Sequence, residues 1–149
     1  MDKIKTNCFD VAAYILSKKA PMPAMKLQKL VYYAQSWSLV WDDEPLFLEK
    51  IEAWANGPVV KELFIHHRGK FTLDSSFIPY KEGSLSTKQI ETIDVVLKDY
   101  GEKSSQWLSD LTHLESPWRE TREEAGLTDG DRGNAEITHA SLYDYYSSL

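Results

Sequence analysis

Apolar residues recur every three or four positions between Leu27 and Trp41, and this spacing constrains the fold more than any other feature of the chain. The apolar positions are Leu27, Leu30, Val31, Ala34, Trp37 and Trp41. They would share one side of an α-helix, with Lys26, Lys29 and Gln35 lying off it. We therefore expect a long amphipathic helix whose apolar side is buried.

The period changes to two in the segment that follows. Ile51, Ala53 and Ala55 alternate with Glu52, Trp54 and Asn56, which predicts a short strand, and Asn56-Gly57 is typical of a turn. Pro58 suits the first position of a helix, because its φ is fixed and it lacks an N–H, and Gly69 is placed to end that helix. We expect a strand, a turn and a helix in that order.

The other elements follow from caps and spacing. Asn7, Ser86 with Gln89, and Ser104 or Ser105 are predicted N-caps, and Ser116-Pro117 is a predicted helix start. The remaining helices are predicted at 7–18, 86–101, 104–114, 116–126 and 142–149. Residues 46–48 are predicted to pair with 51–54 across a turn at 49–50, while 77–80 fits either an edge strand or a loop.

These elements predict a mainly α fold. We expect residues 1–149 to form a single compact domain of about six to seven helices, with a small two-stranded β element as an accessory. The amino-terminal residues 1–7 lead into the first helix without the apolar core of a secretory signal, and Cys8 is the only cysteine. Both observations favour a cytoplasmic protein.

The charge of the chain limits its partners. Seventeen Lys and Arg stand against 23 Asp and Glu, a net charge of −6, which disfavours sequence-independent binding to nucleic acid. Arg119 and Arg122 alternate with glutamates, as on a solvated helix face. No apolar run approaches the ~20 residues of a membrane span, so no membrane association is expected.

Few residues suggest catalysis or metal binding. The concentrated candidates are the pair His66-His67 and the group His113 with Glu115. Adjacent helical histidines diverge and match no zinc spacing, so we expect no metal, no cofactor and no enzymatic activity. We expect His113 to hold the corner before Pro117 in place by a hydrogen bond.

Aromatic residues are abundant. Five Trp and eight Tyr exceed what one small core needs, and these side chains dominate protein interfaces. Tyr32 and Tyr33 are adjacent in one helix and are not expected to face inward together, and Trp54 is out of phase with Ala53 in the strand. We expect at least one exposed aromatic side chain for a partner.

Three segments, taken in order, resemble the Panacea domain family of SocA-type antitoxins and GepA-like phage-associated proteins. They are Lys26-Leu27-Gln28-Lys29-Leu30, Gly57-Pro58-Val59-Val60, and His113 through Pro117-Trp118. The similarity extends to the first helix at 10–16 and the last at 143–146. The sequence departs from the family pattern at Pro23, where a capping Ser or Thr is expected.

The resemblance implies an antitoxin that binds and neutralises a cognate protein toxin without catalysis. The residues expected to form family motifs or a partner-binding face are Lys26, Gln28, Lys29, Tyr33, Trp37, Trp54, Gly57, Pro58, Val59, His113, Pro117 and Trp118. The alternatives are a DNA-binding regulator of its own operon, a proteolytic adaptor, and a hydrolase built on His113 and Glu115. The toxin's identity and the oligomeric state stay open.

Overall fold

Seven α-helices and two small antiparallel sheets make up the computed structural model, which describes residues 5–149. Helix accounts for 54% of it, so the predicted mainly α fold is confirmed. The helices are α1 (Cys8–Lys19), α2 (Ala24–Trp41), α3 (Lys61–His67), α4 (Thr87–Tyr100), α5 (Ser105–Leu114), α6 (Ser116–Glu124) and α7 (His139–Tyr146). The strands are β1 (Met22–Pro23), β2 (Ile51–Trp54), β3 (Gly57–Val60), β4 (Thr72–Leu73) and β5 (Glu136–Ile137). Residues 1–4, part of the predicted amino-terminal stretch, lie outside the described residues.

Local capping fixes the helix starts where the sequence predicted them. Asn7 caps α1 through a capping box with Asp10, and Ser86 caps α4 through one with Gln89. Ser104 caps α5 by accepting a hydrogen bond from the Trp107 N–H. Pro23 precedes α2 and provides no side-chain cap.

Helix α2 is the centre of the fold. It packs against α1, α4, α5, α7 and β3, so neighbours surround nearly its whole circumference. Lys29, Gln35, Tyr32 and Tyr33 are each at most 1% exposed. The predictions of one buried stripe and of one outward tyrosine were therefore wrong, because they assumed a partner on one side only. Among the described helices none, α2 included, is long and apolar enough to cross a membrane.

Strand β2 pairs with β3 in a hairpin whose turn is Ala55-Asn56. The predicted pairing with 46–48 and the helix start at Pro58 were both wrong. Ala53 pairs with Pro58, and its N–H donates to the Ala135 carbonyl at 2.9 Å, so the backbone groups of this pair point away from the hairpin. The missing N–H of Pro58 therefore removes no hydrogen bond between β2 and β3.

Strands β1, β4 and β5 are too short to produce an alternating pattern in the sequence. β5 pairs with β2 on the side opposite β3, and β1 pairs with β4. The segment Phe77–Tyr80 is a loop, with partly buried side chains packed against the core. The β structure is thus larger than the two-stranded element predicted, with sheets of three and two strands.

Candidate functional site

Gln28 of α2 holds the free edge of the β2–β3 hairpin. Its Oε1 accepts from the Val60 N–H at 2.8 Å, and its Nε2 donates to the Val60 carbonyl at 3.2 Å. Nε2 also lies 3.0 Å from His67 Nε2, which must then accept the hydrogen bond. Burial lowers the pKa of His67, consistent with a neutral ring. The carboxamide thus replaces a neighbouring strand at this edge.

Lys29, the next residue of α2, reaches the turn-proximal end of β3. Its ammonium lies 3.4 Å from the Pro58 carbonyl and is buried, which lowers its pKa to about 8. Gly57 has φ +130°, and a Cβ there would lie 2.7 Å from Lys29 Cε and 3.4 Å from Thr112 Oγ1. The hairpin therefore begins with glycine for reasons of both backbone conformation and space.

Helices α5 and α6 hold the other side of the hairpin. Ser109 Oγ donates to the Asn56 carbonyl at 2.7 Å, Trp118 Nε1 to the Trp54 carbonyl at 2.8 Å, and Arg122 Nη1 to the Ala53 carbonyl at 2.9 Å. These side chains and the two from α2 bind the backbone of the hairpin, so its position is fixed from three helices.

Arg122 was predicted to lie on a solvated helix face, and that prediction was wrong. It is 4% exposed, and its Nη2 donates to the carbonyls of Thr128 and Asp131 at 3.1 and 2.7 Å. The guanidinium can satisfy several carbonyls at once because its N–H groups form a planar fork. The run of alternating charges around it carries no signal of this burial.

His113 is held by stacking. Its ring lies parallel to Trp118, with centroids 3.9 Å apart and planes 5° apart, while its Nε2 is buried with no hydrogen-bond partner among residues 5–149. Burial lowers its pKa, and the backbone of Asn56 works in the opposite direction. The contact that the structure shows at this corner is the stack of the imidazole on the indole, where a hydrogen bond was predicted.

Glu115 belongs to a separate polar cluster. Its Oε1 accepts from the hydroxyls of Tyr33 and Tyr146, each at 2.7 Å, and Tyr33 stacks on Tyr100 at 4.3 Å between centroids. Burial raises the pKa of Glu115, while the two tyrosine hydroxyls lower it. No hydrogen bond joins Glu115 to His113 in residues 5–149, so the arrangement a hydrolase needs is not assembled there.

The two histidines of the predicted pair contact different neighbours. His67 faces Gln28, whereas the exposed His66 lies beside Phe9, with ring centroids 4.5 Å apart and planes tilted by 56°. Within the described part of the chain, no group of three or more His, Cys, Asp or Glu side chains is placed to hold a metal ion.

An open groove of about 990 Å³ lies on the outer side of the hairpin. We call it the Trp54 groove; the residues that define it are Trp54, Val59, Lys61, Phe64, Arg68 and Arg132. Trp54 is half-buried, its ring packs edge-to-face on Phe64 at 4.8 Å, and its Nε1 donates to Glu52 at 2.8 Å. Strand β2, helix α3 and the loop before β5 supply its walls.

Most of the predicted site residues are buried, and few of them line this groove. The buried ones are Gln28, Lys29, Tyr33, Gly57, Pro58, Val59, Pro117 and Trp118. Trp54, Lys26, Trp37 and His113 are partly exposed, and only Trp54 and Val59 line the groove. Phe64 and Arg68 line the groove but were not predicted as site residues, although their i, i+4 spacing places them on one face of a helix.

Exposed aromatic side chains occur, as predicted, but mainly elsewhere. Phe71 is 80% exposed, Trp41 47% and Trp107 43%. Trp41 was predicted on the buried stripe of α2 and instead lies at its end, stacked on Trp37 at 4.9 Å between centroids.

The described residues thus form a mainly α fold whose β2–β3 hairpin is held by side chains of α2, α5 and α6. The family model described as Antitoxin SocA-like, Panacea domain, matches residues 27–119, and the chain belongs to that family. The matched range contains Gln28, Lys29, Ser109 and Trp118, whereas Arg122 and Arg132 lie outside it. No curated protein and no solved structure matches the chain.

Proposed function

We propose that the protein is the antitoxin of a toxin–antitoxin pair and neutralises a cognate protein toxin by binding it directly, without catalysis. The observation that carries this proposal is the family match over residues 27–119. That range spans the hairpin, most of the side chains that fix it and most of the Trp54 groove. A cytoplasmic location and carriage by a phage or other mobile element belong to the same proposal.

The way in which the hairpin is held supports a binding role. Buried side chains from α2, α5 and α6 hold the hairpin backbone, so its outer surface is organised before a partner arrives. A preorganised surface loses less conformational entropy on binding, which raises affinity. We also propose that the whole chain acts as one domain, because α7 closes the core on α2.

The test is co-expression with the product of the neighbouring gene. We expect that product to stop growth when expressed alone, and this chain to restore growth. The purified proteins should elute together in size-exclusion chromatography. A frameshifted copy of this gene is the control, because it yields the RNA without the protein.

Three other outcomes would contradict neutralisation by binding. Restored growth without a complex, together with repression of the operon promoter, would assign the protein to DNA-binding regulators. Rescue that disappears in a host lacking its main proteases would assign it to adaptors. A neighbouring product with no toxicity would remove the antitoxin role.

A further inference from the structure

The Trp54 groove is cationic in a protein that is anionic overall. Lys61, Arg68 and Arg132 line it, and Glu52 is the only acidic lining residue among residues 5–149. The three cations are exposed, and none forms a salt bridge or a side-chain hydrogen bond within the described part of the chain. Against a net charge of −6, this is a local reversal of sign.

We propose that the Trp54 groove binds an acidic segment of the toxin that also carries apolar side chains. This inference rests on the proposed function for the identity of the partner. Carboxylates of the segment would pair with Lys61, Arg68 and Arg132, and its apolar side chains would contact Trp54 and Phe64. The overall negative charge repels acidic chains elsewhere on the surface, so the groove selects both the place and the orientation of binding.

The groove also has the floor that an apolar anchor requires. Val59 is 1% exposed and belongs to the fixed strand β3. The Trp54 indole already donates its N–H to Glu52, so binding leaves no indole donor unsatisfied. Aromatic side chains placed in this way, half-buried and rigid, are the usual hot spots of protein interfaces.

A protein segment fits the groove better than nucleic acid. Aromatic side chains beside cations also describe a surface that stacks single-stranded bases. Here, however, Phe64 packs with its ring at an angle of 66° to Trp54, so the two rings do not offer parallel faces between which a base could stack.

The first experiment uses two short fluorescein-labelled peptides with the full-length protein. One contains leucine, tryptophan and glutamate; the other has lysine in place of each glutamate. Fluorescence anisotropy at low salt should show binding of the acidic peptide and at least tenfold weaker binding of the basic one. Equal affinities, or no binding of either peptide, would overturn the proposal.

Charge-reversed variants locate the site. The double variant Lys61→Glu, Arg68→Glu should bind the acidic peptide about tenfold more weakly. Lys88→Glu, Lys98→Glu on α4 changes the net charge equally, lies on exposed positions outside the groove, and should bind like the wild type. Equal losses in both variants would show a general charge effect and overturn the proposal. Melting curves confirm that each variant is folded.

Phe64→Ala tests the apolar contact, since it removes the ring beside Trp54 without changing charge. The affinity of this variant for the acidic peptide should be several-fold lower than that of the wild type. A short oligodeoxythymidine is added as a competitor; if it displaces the peptide and binds more tightly, the groove is a nucleic-acid site and the proposal fails.

Growth rescue separates this inference from the proposed function. If the wild type rescues and the groove double variant rescues equally, the toxin binds elsewhere and only the groove assignment fails. If the acidic peptide binds the groove but no neighbouring product is toxic, the antitoxin role fails and the groove remains a site for acidic segments.

Discussion

The carboxamide of Gln28 binds both backbone polar groups of Val60, 32 residues further along the chain. This single side chain links the segment 26–30 to the segment 57–60. Two of the three segments that carry the family resemblance are thus the partners of one contact. The position of the β3 edge therefore depends on α2.

Replacing Gln28 by leucine should destabilise the protein strongly. The substitution keeps the volume but leaves the buried Val60 N–H and C=O without their partner, at about 1–3 kcal/mol each. We expect a loss of roughly 3 kcal/mol and a melting temperature lower by about 10 °C. Gln106→Leu, at an exposed position on α5, is the control and should melt like the wild type. A normal melt for Gln28→Leu would show that the Val60 contact is dispensable.

Gly57→Ala should cost more than Gly69→Ala. Both glycines have positive φ, at +130° and +87°, so both substitutions strain the backbone. Only at Gly57 would the new Cβ meet another side chain, Lys29 at 2.7 Å. The difference between the two losses in unfolding free energy, measured by urea denaturation, reports the contact with Lys29 together with the greater backbone strain at φ +130°. Equal losses would mean that Lys29 moves aside freely and that the larger φ adds no strain.

Lys29 makes the stability depend on pH on the alkaline side. Burial lowers its pKa to about 8, so between that pH and the unfolded value the unfolded chain binds the proton more tightly. Lys29 should therefore contribute a rise in the free energy of unfolding from about pH 8 to about pH 10, by up to about 3 kcal/mol, whereas Cys8 and Tyr32, whose pKa values burial raises, act in the opposite direction at the upper end of this range. The difference in unfolding free energy between the wild type and Lys29→Met should show this rise, whereas the exposed control Lys88→Met should follow the wild type. Urea denaturation across this range provides the measurement.

His113→Phe should be tolerated better than His113→Ala. Phenylalanine preserves the stack on Trp118 and removes the buried, unpartnered Nε2, although it loses the interaction with the Asn56 backbone. We expect a melting temperature within a few degrees of the wild type for Phe, and a loss of about 2 kcal/mol or more for Ala. If Phe is as damaging as Ala, the imidazole nitrogens hold the corner and stacking does not.

Local chemistry accounts for what the sequence predicted well. Asn7 and Ser86 cap helices through residues three positions away, so their signals are complete within one turn. Local signals predicted the hairpin wrongly. Proline is common at the start of a helix, whereas the place of Pro58 in a strand depends on its pairing with Ala53.

The site was predictable to a smaller extent. Most of the predicted motif residues are buried, and the side chains that line the groove come from separate parts of the chain. Arg132 lies in an irregular loop with no periodic signal, and Arg122 lies in a run typical of exposed helices. Their positions are set only when α6 packs against β2 and β5.

The position of α2 also has a consequence for synthesis. This helix is made early, yet it is covered by α7, and the hydroxyls of Tyr32 and Tyr146 lie 3.0 Å apart although 114 residues separate them. A growing chain therefore carries an uncovered central helix until α7 has left the ribosome. The core around α2 closes only after α7 has been made, and a chain that stops before α7 would leave apolar surface exposed to aggregation and proteolysis.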